Sequence, residues 1–171
     1  MSTPMVIGVD PGARDTGLCV IAGRDVVTHD TVNNPHDLFP AHENYLHHVV
    51  LRLNELVLEH DCRLIAVESI RRPNWHMKGR AAADPSALLA TAEVLGAVLS
   101  HRWLRSPIVQ VPPGRNGSNV LGAYPTELVS ASERRAAGWQ LKVGGGKLRH
   151  ARSAYDVAVS GAHLHLNGAI A

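Results

Sequence analysis

Val6-Ile7-Gly8-Val9-Asp10-Pro11-Gly12, continuing as Ala13-Arg14-Asp15-Thr16-Gly17-Leu18-Cys19-Val20-Ile21, is the stretch on which the fold turns. Val6, Ile7 and Val9 form a short β-branched run that favours a strand. Pro11, with fixed φ, and Gly12, with permissive φ, stop that strand directly after Asp10. The following run, Thr16 to Ala22, is again apolar, so the two segments are expected to pair as antiparallel neighbours. A carboxylate thus closes a buried strand. Such a group commonly caps or solvates a turn; it is also a hard oxygen ligand of the kind that holds a metal ion.

Outward from that turn the elements alternate. Asp25 to Val32 reads as a third strand, broken by Asn33-Asn34-Pro35, which gives three antiparallel strands in a row. From Pro40 to His60 the residues Leu46, Val49, Val50, Leu53, Leu56 and Val57 recur at helical spacing and predict an amphipathic helix over one face of the sheet. Arg63 to Val67 reads as a buried strand that delivers Glu68 at its end, followed by a polar segment from Ser69 to Ala83. Asp84-Pro85 opens a helix to about Leu104, with Leu88, Leu89, Ala92, Leu95, Val98 and Leu99 on its apolar stripe. Ile108 to Val111 is a further strand and Pro112 to Ala123 a loop. Pro125 to about Ala137 is expected to be helical, Gly138 to Gly146 to be a mobile glycine-rich loop, and Leu148 to Leu164 to be a last helix carrying Asp156. Periodicity alone supports an α/β class. No repeat or long linker divides the chain, so residues 1–171 are read as one domain.

Composition narrows the function classes. With 45% hydrophobic residues and few aromatics, the core is expected to be aliphatic and alanine-rich. Cys19 and Cys62 fall inside apolar runs, where free thiols pack as small hydrophobes, so a disulfide scaffold is not indicated and a cytoplasmic location is expected. No apolar run reaches the ~18 residues of a membrane span, and the start lacks a basic flank with a long apolar region; no membrane association is expected. A net charge of +2 does not identify a nucleic-acid partner by itself, so the distribution of charge matters more.

As a block, the opening resembles the RuvC-type Holliday-junction resolvases, whose first two strands read Ile-Asp-Pro-Gly-Ser-Arg-x-Thr-Gly followed by an apolar strand. Asp10, Pro11, Gly12, Arg14, Thr16 and Gly17 stand in register with that pattern. The resemblance implies a ribonuclease H-like fold: a mixed five-stranded sheet, three antiparallel strands first, with helices on both faces. It also implies that the strands ending in Asp10 and Glu68 are adjacent, and that Asp156 on the last helix is the third carboxylate. Like charges held side by side need a cation between them. The implied cofactor is Mg²⁺ or Mn²⁺, two ions per site, which can activate a water and stabilise the leaving oxygen of a phosphodiester.

One departure stands out. Many relatives carry an acidic residue or a histidine one helical turn before the last aspartate, and here that position is Ser153. On a helix Arg149, Arg152 and Ser153 share a face with Asp156, whereas His150 at i−6 points elsewhere unless the helix begins later. The fourth metal ligand is therefore left open between Ser153 and His150.

Two unopposed basic clusters flank these residues: Arg71, Arg72, Lys78 and Arg80 after Glu68, and Lys142, Lys147, Arg149 and Arg152 before Asp156. They are read as DNA-binding, against the alternative of ordinary solvated loops. Trp75 is read as stacking on an unpaired base, or else as anchoring its loop. Gly144-Gly145-Gly146-Lys147 lacks the full phosphate-loop spacing and its following Ser/Thr, so no nucleotide cofactor is expected. The expected function is a metal-dependent, structure-selective endodeoxyribonuclease that cuts four-way DNA junctions as a homodimer, with the helix from Asp84 as its interface. The alternatives are a nuclease acting also on forks and flaps, and a non-catalytic branched-DNA-binding module with a degraded metal site. An actin- or hexokinase-like phosphotransferase is set aside because 171 residues do not supply two lobes.

Overall fold

A computed structural model of the chain describes residues 3–71 and 85–166. The opening strand β1 is Met5–Asp10, and it pairs antiparallel with β2, Asp15–Ala22, with Asp10 opposite Gly17. Strand β3, Asp25–Asn33, continues the antiparallel meander on the outer side of β2. Helix α1, Glu43–Glu59, then returns the chain so that β4, Leu64–Glu68, lies parallel to β1, and β5, Ile108–Val111, lies parallel to β4. The sheet order β3-β2-β1-β4-β5 is mixed, as the family resemblance implied, and its first pair is antiparallel, as expected from the opening turn.

Strand alternation divides the core into two layers. Ile7, Val9, Leu18, Val20, Ile65 and Val67 face α1 and α2, where α2 is Ser86–Ser100. Val6, Cys19, Ile21, Leu64, Ala66 and Val109 face the last helix, α4, Leu148–Leu166. The same alternation turns Gly8, Asp10 and Glu68 toward α4.

The residues of the opening motif each do a separate job. Pro11 and Gly12 turn the chain where a Cβ on Gly12 would lie 2.2 Å from the Asp15 carbonyl oxygen. Arg14 spans the turn, donating from Nη1 to the carbonyls of Asn34 (3.1 Å) and His36 (2.8 Å). Buried Thr16 shares a 2.7 Å hydrogen bond with the Tyr45 hydroxyl, which donates to the Gly12 carbonyl at 2.7 Å and so ties the turn to α1. Burial and the nearby Asp15 and Asp10 carboxylates help push the Tyr45 hydroxyl up to about 12, and it remains a neutral donor. Gly17 lets α4 close onto the sheet: a Cβ there would meet the His150 carbonyl oxygen at 2.2 Å.

Several expectations are corrected. Helix α2 ends at Ser100 rather than about Leu104, and buries Ala90, Val94, Leu95 and Val98, leaving Leu89 and Leu99 exposed. Apart from Thr91 and Glu93 the helix interior is apolar on every side, so its sequence does not single out one stripe, and Val94, Leu95 and Val98 are the residues that share a core with α1. Its expected start, Asp84, lies outside the described residues. The segment expected to be one helix from Pro125 is a 3₁₀ turn at Thr126–Leu128 followed by the short helix α3, Ala131–Arg134, which Ser130 and Glu133 cap reciprocally. The glycine-rich stretch after it is tied down: it forms a 3₁₀ turn at Trp139–Leu141, a bridge between Val143 and Val120, and a carbonyl contact from Gly145 to Arg152.

Glycines give the fold a two-sided test. A Cβ on Gly8 would lie 1.9 Å from the Ala154 carbonyl oxygen, whereas one on Gly96, within α2, meets nothing within 4 Å. By chemical denaturation, Gly8→Ala is expected to destabilise the protein by about 3 kcal/mol or more, and Gly96→Ala to stabilise it by roughly 0.5–1 kcal/mol.

Candidate active site

Asp10 and Glu68 close the two central parallel strands, β1 and β4, and both face α4. Burial pushes the Glu68 carboxyl upward first, and the adjoining Asp10 carboxylate adds to the rise, against the opposing bonds from Asn116 and Gly114. Asn116 Nδ2 donates to Glu68 Oε1 at 2.7 Å, and the Gly114 amide approaches the same oxygen at 3.4 Å. His150, in the first turn of α4, lies with Nδ1 3.0 Å from Asp10 Oδ2. That bond raises the His150 pKa above its ordinary 6.5, with a further push from the Asp10 and Asp15 charges and opposition from burial.

Asp156 occupies a different environment. Its Oδ2 accepts from the Gly117 amide (2.8 Å), the Tyr124 hydroxyl (2.8 Å) and Asn119 Nδ2 (3.2 Å). Burial raises the Asp156 carboxyl, and these three bonds oppose the rise. Tyr124 is pushed up to about 12 by burial and by the carboxylate it serves, and so stays a donor. Cys19, buried behind Asp156, is likewise pushed up to about 12 and is a packed thiol rather than a nucleophile.

The three carboxylates share one pattern. Each takes its hydrogen-bond donors on a single oxygen: Asp10 on Oδ2, Glu68 on Oε1, Asp156 on Oδ2. Among the described residues no N–H or hydroxyl donor meets the other oxygen of any of them, and the Asp10 and Glu68 carboxyls lie close enough to share a hydrogen bond when one is protonated. Loop 114–119 bridges the set, holding Glu68 through Asn116 and Asp156 through Gly117 and Asn119. Among the described residues, no group of three or more His, Cys, Asp or Glu is gathered closely enough to hold a metal ion as it stands. The structure therefore brings Asp10, Glu68 and His150 together and sets Asp156 across the loop from them.

Of the two candidates for a fourth ligand, His150 contacts Asp10, while Ser153 is buried against Gly117. The helix starts at Leu148, before His150, so His150 diverges from Asp156 as the i−6 spacing requires, and its ring meets Asp10 instead. Asn116, Gly117, Asn119 and Tyr124 were not foreseen as contributors. The Asn116-Gly117 pair is a turn signal, with Gly117 at φ 71°, but nothing local says that the turn meets two carboxylates.

The basic clusters divide. Arg71 is exposed and donates to the Pro113 carbonyl at 3.4 Å; Lys142, Lys147 and Arg149 are exposed. Arg72, Trp75, Lys78 and Arg80 lie outside the described residues. Arg152 corrects the expectation of a DNA-facing residue: it is fully buried, donating to Leu128 O (2.9 Å), Gly145 O (2.9 Å) and Glu133 (3.2 and 3.3 Å). Burial pushes Glu133 up, but bonds from Ser130 and Arg152 more than offset this and hold it below its ordinary value. Arg152 is a brace for the segment between Leu128 and Gly145, because a cation this deep must be paired where it sits.

A family model described as crossover junction endodeoxyribonuclease RuvC matches residues 6–101. None of the curated proteins matches the sequence. Among solved structures, Thermus thermophilus RuvC in complex with Holliday junction substrate is 18% identical, with a TM-score of 0.62 and 96% of each chain covered. A second Thermus thermophilus RuvC structure is 20% identical, with a TM-score of 0.57 over 96% of each chain. The yeast mitochondrial Holliday junction resolvase Ydc2 is 10% identical, with a TM-score of 0.50 over 94% of this chain and 78% of that one. At these identities the structural likeness carries the ribonuclease H-like fold, and the family model carries the relationship. Since that model spans more than half of the sequence and contains both strands that end in the paired carboxylates, the chain belongs to the RuvC family of crossover junction endodeoxyribonucleases.

Proposed function

We propose that this chain, acting as a single nuclease domain in a homodimer, hydrolyses phosphodiesters in four-way DNA junctions with the help of divalent cations held by Asp10, Glu68 and Asp156. The observation that carries the reading is the Asp10–Glu68 pair: two carboxylates at the ends of adjacent strands, close enough for one to raise the other's pKa. Such a pair fits a hard divalent cation, which lowers its repulsion. Mg²⁺ or Mn²⁺, two ions in this reading, would supply Lewis-acid chemistry there, acidifying water and offsetting charge on the phosphodiester.

The chain's own groups orient the donors. His150 and Asn116 fix one oxygen each of Asp10 and Glu68; Tyr124, Asn119 and the Gly117 amide fix one oxygen of Asp156. The uncommitted oxygens are the ones available to cations, with His150, rather than the buried Ser153, beside them as the further candidate ligand. Arg71, Lys142, Lys147 and Arg149 are exposed cations suited to backbone phosphates, which position a strand without reading its sequence. Paired cuts in a junction need two sites, and the apolar outer face of α2, with Leu89 42% and Leu99 40% exposed, suits contact with a second copy.

Labelled synthetic four-way junctions, forks, flaps and linear duplexes, incubated with Mg²⁺ or Mn²⁺, test this reading. Paired symmetric cuts in the junction are expected, and Asp10→Asn and Glu68→Gln should each lower the rate at least about a hundredfold. Metal-independent junction binding with no cutting would instead identify a binding module.

The Asp10–His150 pair also makes a pH prediction for the metal-free protein. Because the folded pKa of His150 is raised, its contribution to stability is fully present below the unfolded value of about 6.5 and is lost as pH rises through the folded value. The difference in Tm between the parent chain and His150→Ala should therefore be larger at about pH 5.5 than at about pH 8.5. An equal difference at both would contradict the pairing.

A further inference from the structure

The loop that bridges the carboxylates carries a reactivity that strand cleavage does not use. Asn116 is followed by Gly117, and an asparagine before glycine is the pair most open to attack by its own backbone, because no side chain shields the next nitrogen. The pair recurs at Asn167-Gly168, which lies outside the described residues. Asn119 serves Asp156 from the same loop, but the β-branched Val120 follows it and crowds that approach.

The fold requires both halves of the reactive pair. Asn116 Nδ2 is the donor that meets Glu68 Oε1 at 2.7 Å. Gly117 sits at φ 71° in a turn closed by Ser118 N, which donates to the Arg115 carbonyl at 2.9 Å. A Cβ on Gly117 would lie 3.0 Å from the Arg149 carbonyl oxygen and 3.1 Å from Ser153 Cβ, so a larger residue there strains the turn and pushes on α4. The same contacts restrain the reaction. Attack requires the Asn116 side chain to turn back from Glu68 and the Gly117 nitrogen to give up its proton. The bond to Glu68 and the 2.8 Å bond from the Gly117 amide to Asp156 Oδ2 therefore both stand against it.

We propose that Asn116 is a deamidation site held in check by the Glu68 and Asp156 carboxylates, and that its conversion disables the centre those carboxylates form. The Gly117 nitrogen bonds to Asn116 Cγ, the Cγ–Nδ2 bond breaks, and Nδ2 leaves as ammonia with the Gly117 proton. Water then opens the cyclic imide to an aspartyl or an isoaspartyl residue, and no oxidant or reductant is needed. The aspartyl product sets a carboxylate oxygen against Glu68 where a donor stood, so attraction becomes repulsion. The isoaspartyl product lengthens the main chain by a methylene just before Gly117 and takes its amide out of register with Asp156. Loss of cutting on conversion rests on the junction-nuclease reading above, whereas the modification itself does not.

Peptide-mapping mass spectrometry of the full chain, incubated at neutral pH well below its Tm, reads amide-to-acid conversion at residue 116 separately from that at residue 167. Denaturing guanidinium chloride should speed conversion at 116 by roughly tenfold or more over the folded chain. Glu68→Ala and Asp156→Ala, each shown to be folded by its thermal transition, should speed it severalfold in the folded state and leave residue 167 unchanged. Glu68→Gln, which keeps an acceptor oxygen, should stay near the parent rate. Junction cutting should fall in step with conversion at 116, and Asn116→Asp should cut at least about tenfold more slowly than the parent chain. Conversion at 116 that is as fast folded as unfolded, that is absent in both states, or that both alanine variants leave at the parent rate overturns the deamidation site. Undiminished cutting by the converted protein and by Asn116→Asp overturns its disabling role. Failure of the parent chain to cut any DNA overturns the nuclease reading, and the mass measurement still decides the modification.

Discussion

The approach of α4 to the sheet is the constraint on which the rest of this structure depends. Gly8 and Gly17 remove the side chains that would hold the helix off β1 and β2, and Gly161 does the same over Ala66, where a Cβ would lie 2.3 Å from the Ala66 Cβ. With backbone against backbone, the first turn of α4 lies over the end of β1, and the His150 ring reaches Asp10. A methyl group at Gly17 would lift that turn away from Asp10, with no loss of charge or of any hydrogen-bonding side chain. The site is thus made by close packing before it is made by chemistry.

A second layer of constraint comes from segments with little regular structure. Loop 114–119 fixes one oxygen of Glu68 and one of Asp156, and Tyr124 adds a donor to Asp156 from the turn that follows. The buried Arg152 braces the segment from Leu128 to Gly145 by pairing with Glu133 and two carbonyls. Its guanidinium also lies 5.9 Å from the centre of the Tyr124 ring. Removing one partner of such a buried pair is costly, because the remaining charge has nowhere to go. Arg152 thus lies against the ring whose hydroxyl serves Asp156, although it touches none of the three carboxylates itself.

The sheet was legible in the sequence because its strands are short β-branched runs with turn residues at fixed places. Asp10-Pro11-Gly12 ended β1 and Val67-Glu68 ended β4, which was enough to set two carboxylates at neighbouring strand ends once the family pattern supplied adjacency. Arg152 was misread for a reason of range: its partner Glu133 lies 19 residues away, and an arginine beside lysines on a helix reads as surface unless that contact is known. The face of α2 was misread because a helix whose interior is apolar on every side, apart from Thr91 and Glu93, carries no stripe. His150 was placed correctly with respect to Asp156, pointing away from it, yet that same divergence is what aims it at Asp10. Helical spacing states the angle between two side chains and not which of them the sheet will meet.

The central claim is that Asp10 and Glu68 form the seat of a divalent cation, and anomalous scattering from crystals of the protein grown with Mn²⁺ tests it most directly. The account predicts a manganese peak between the Asp10 and Glu68 carboxylates, lost in Asp10→Asn crystals. Ordered carboxylates with no peak between them, or manganese bound only elsewhere, would contradict it.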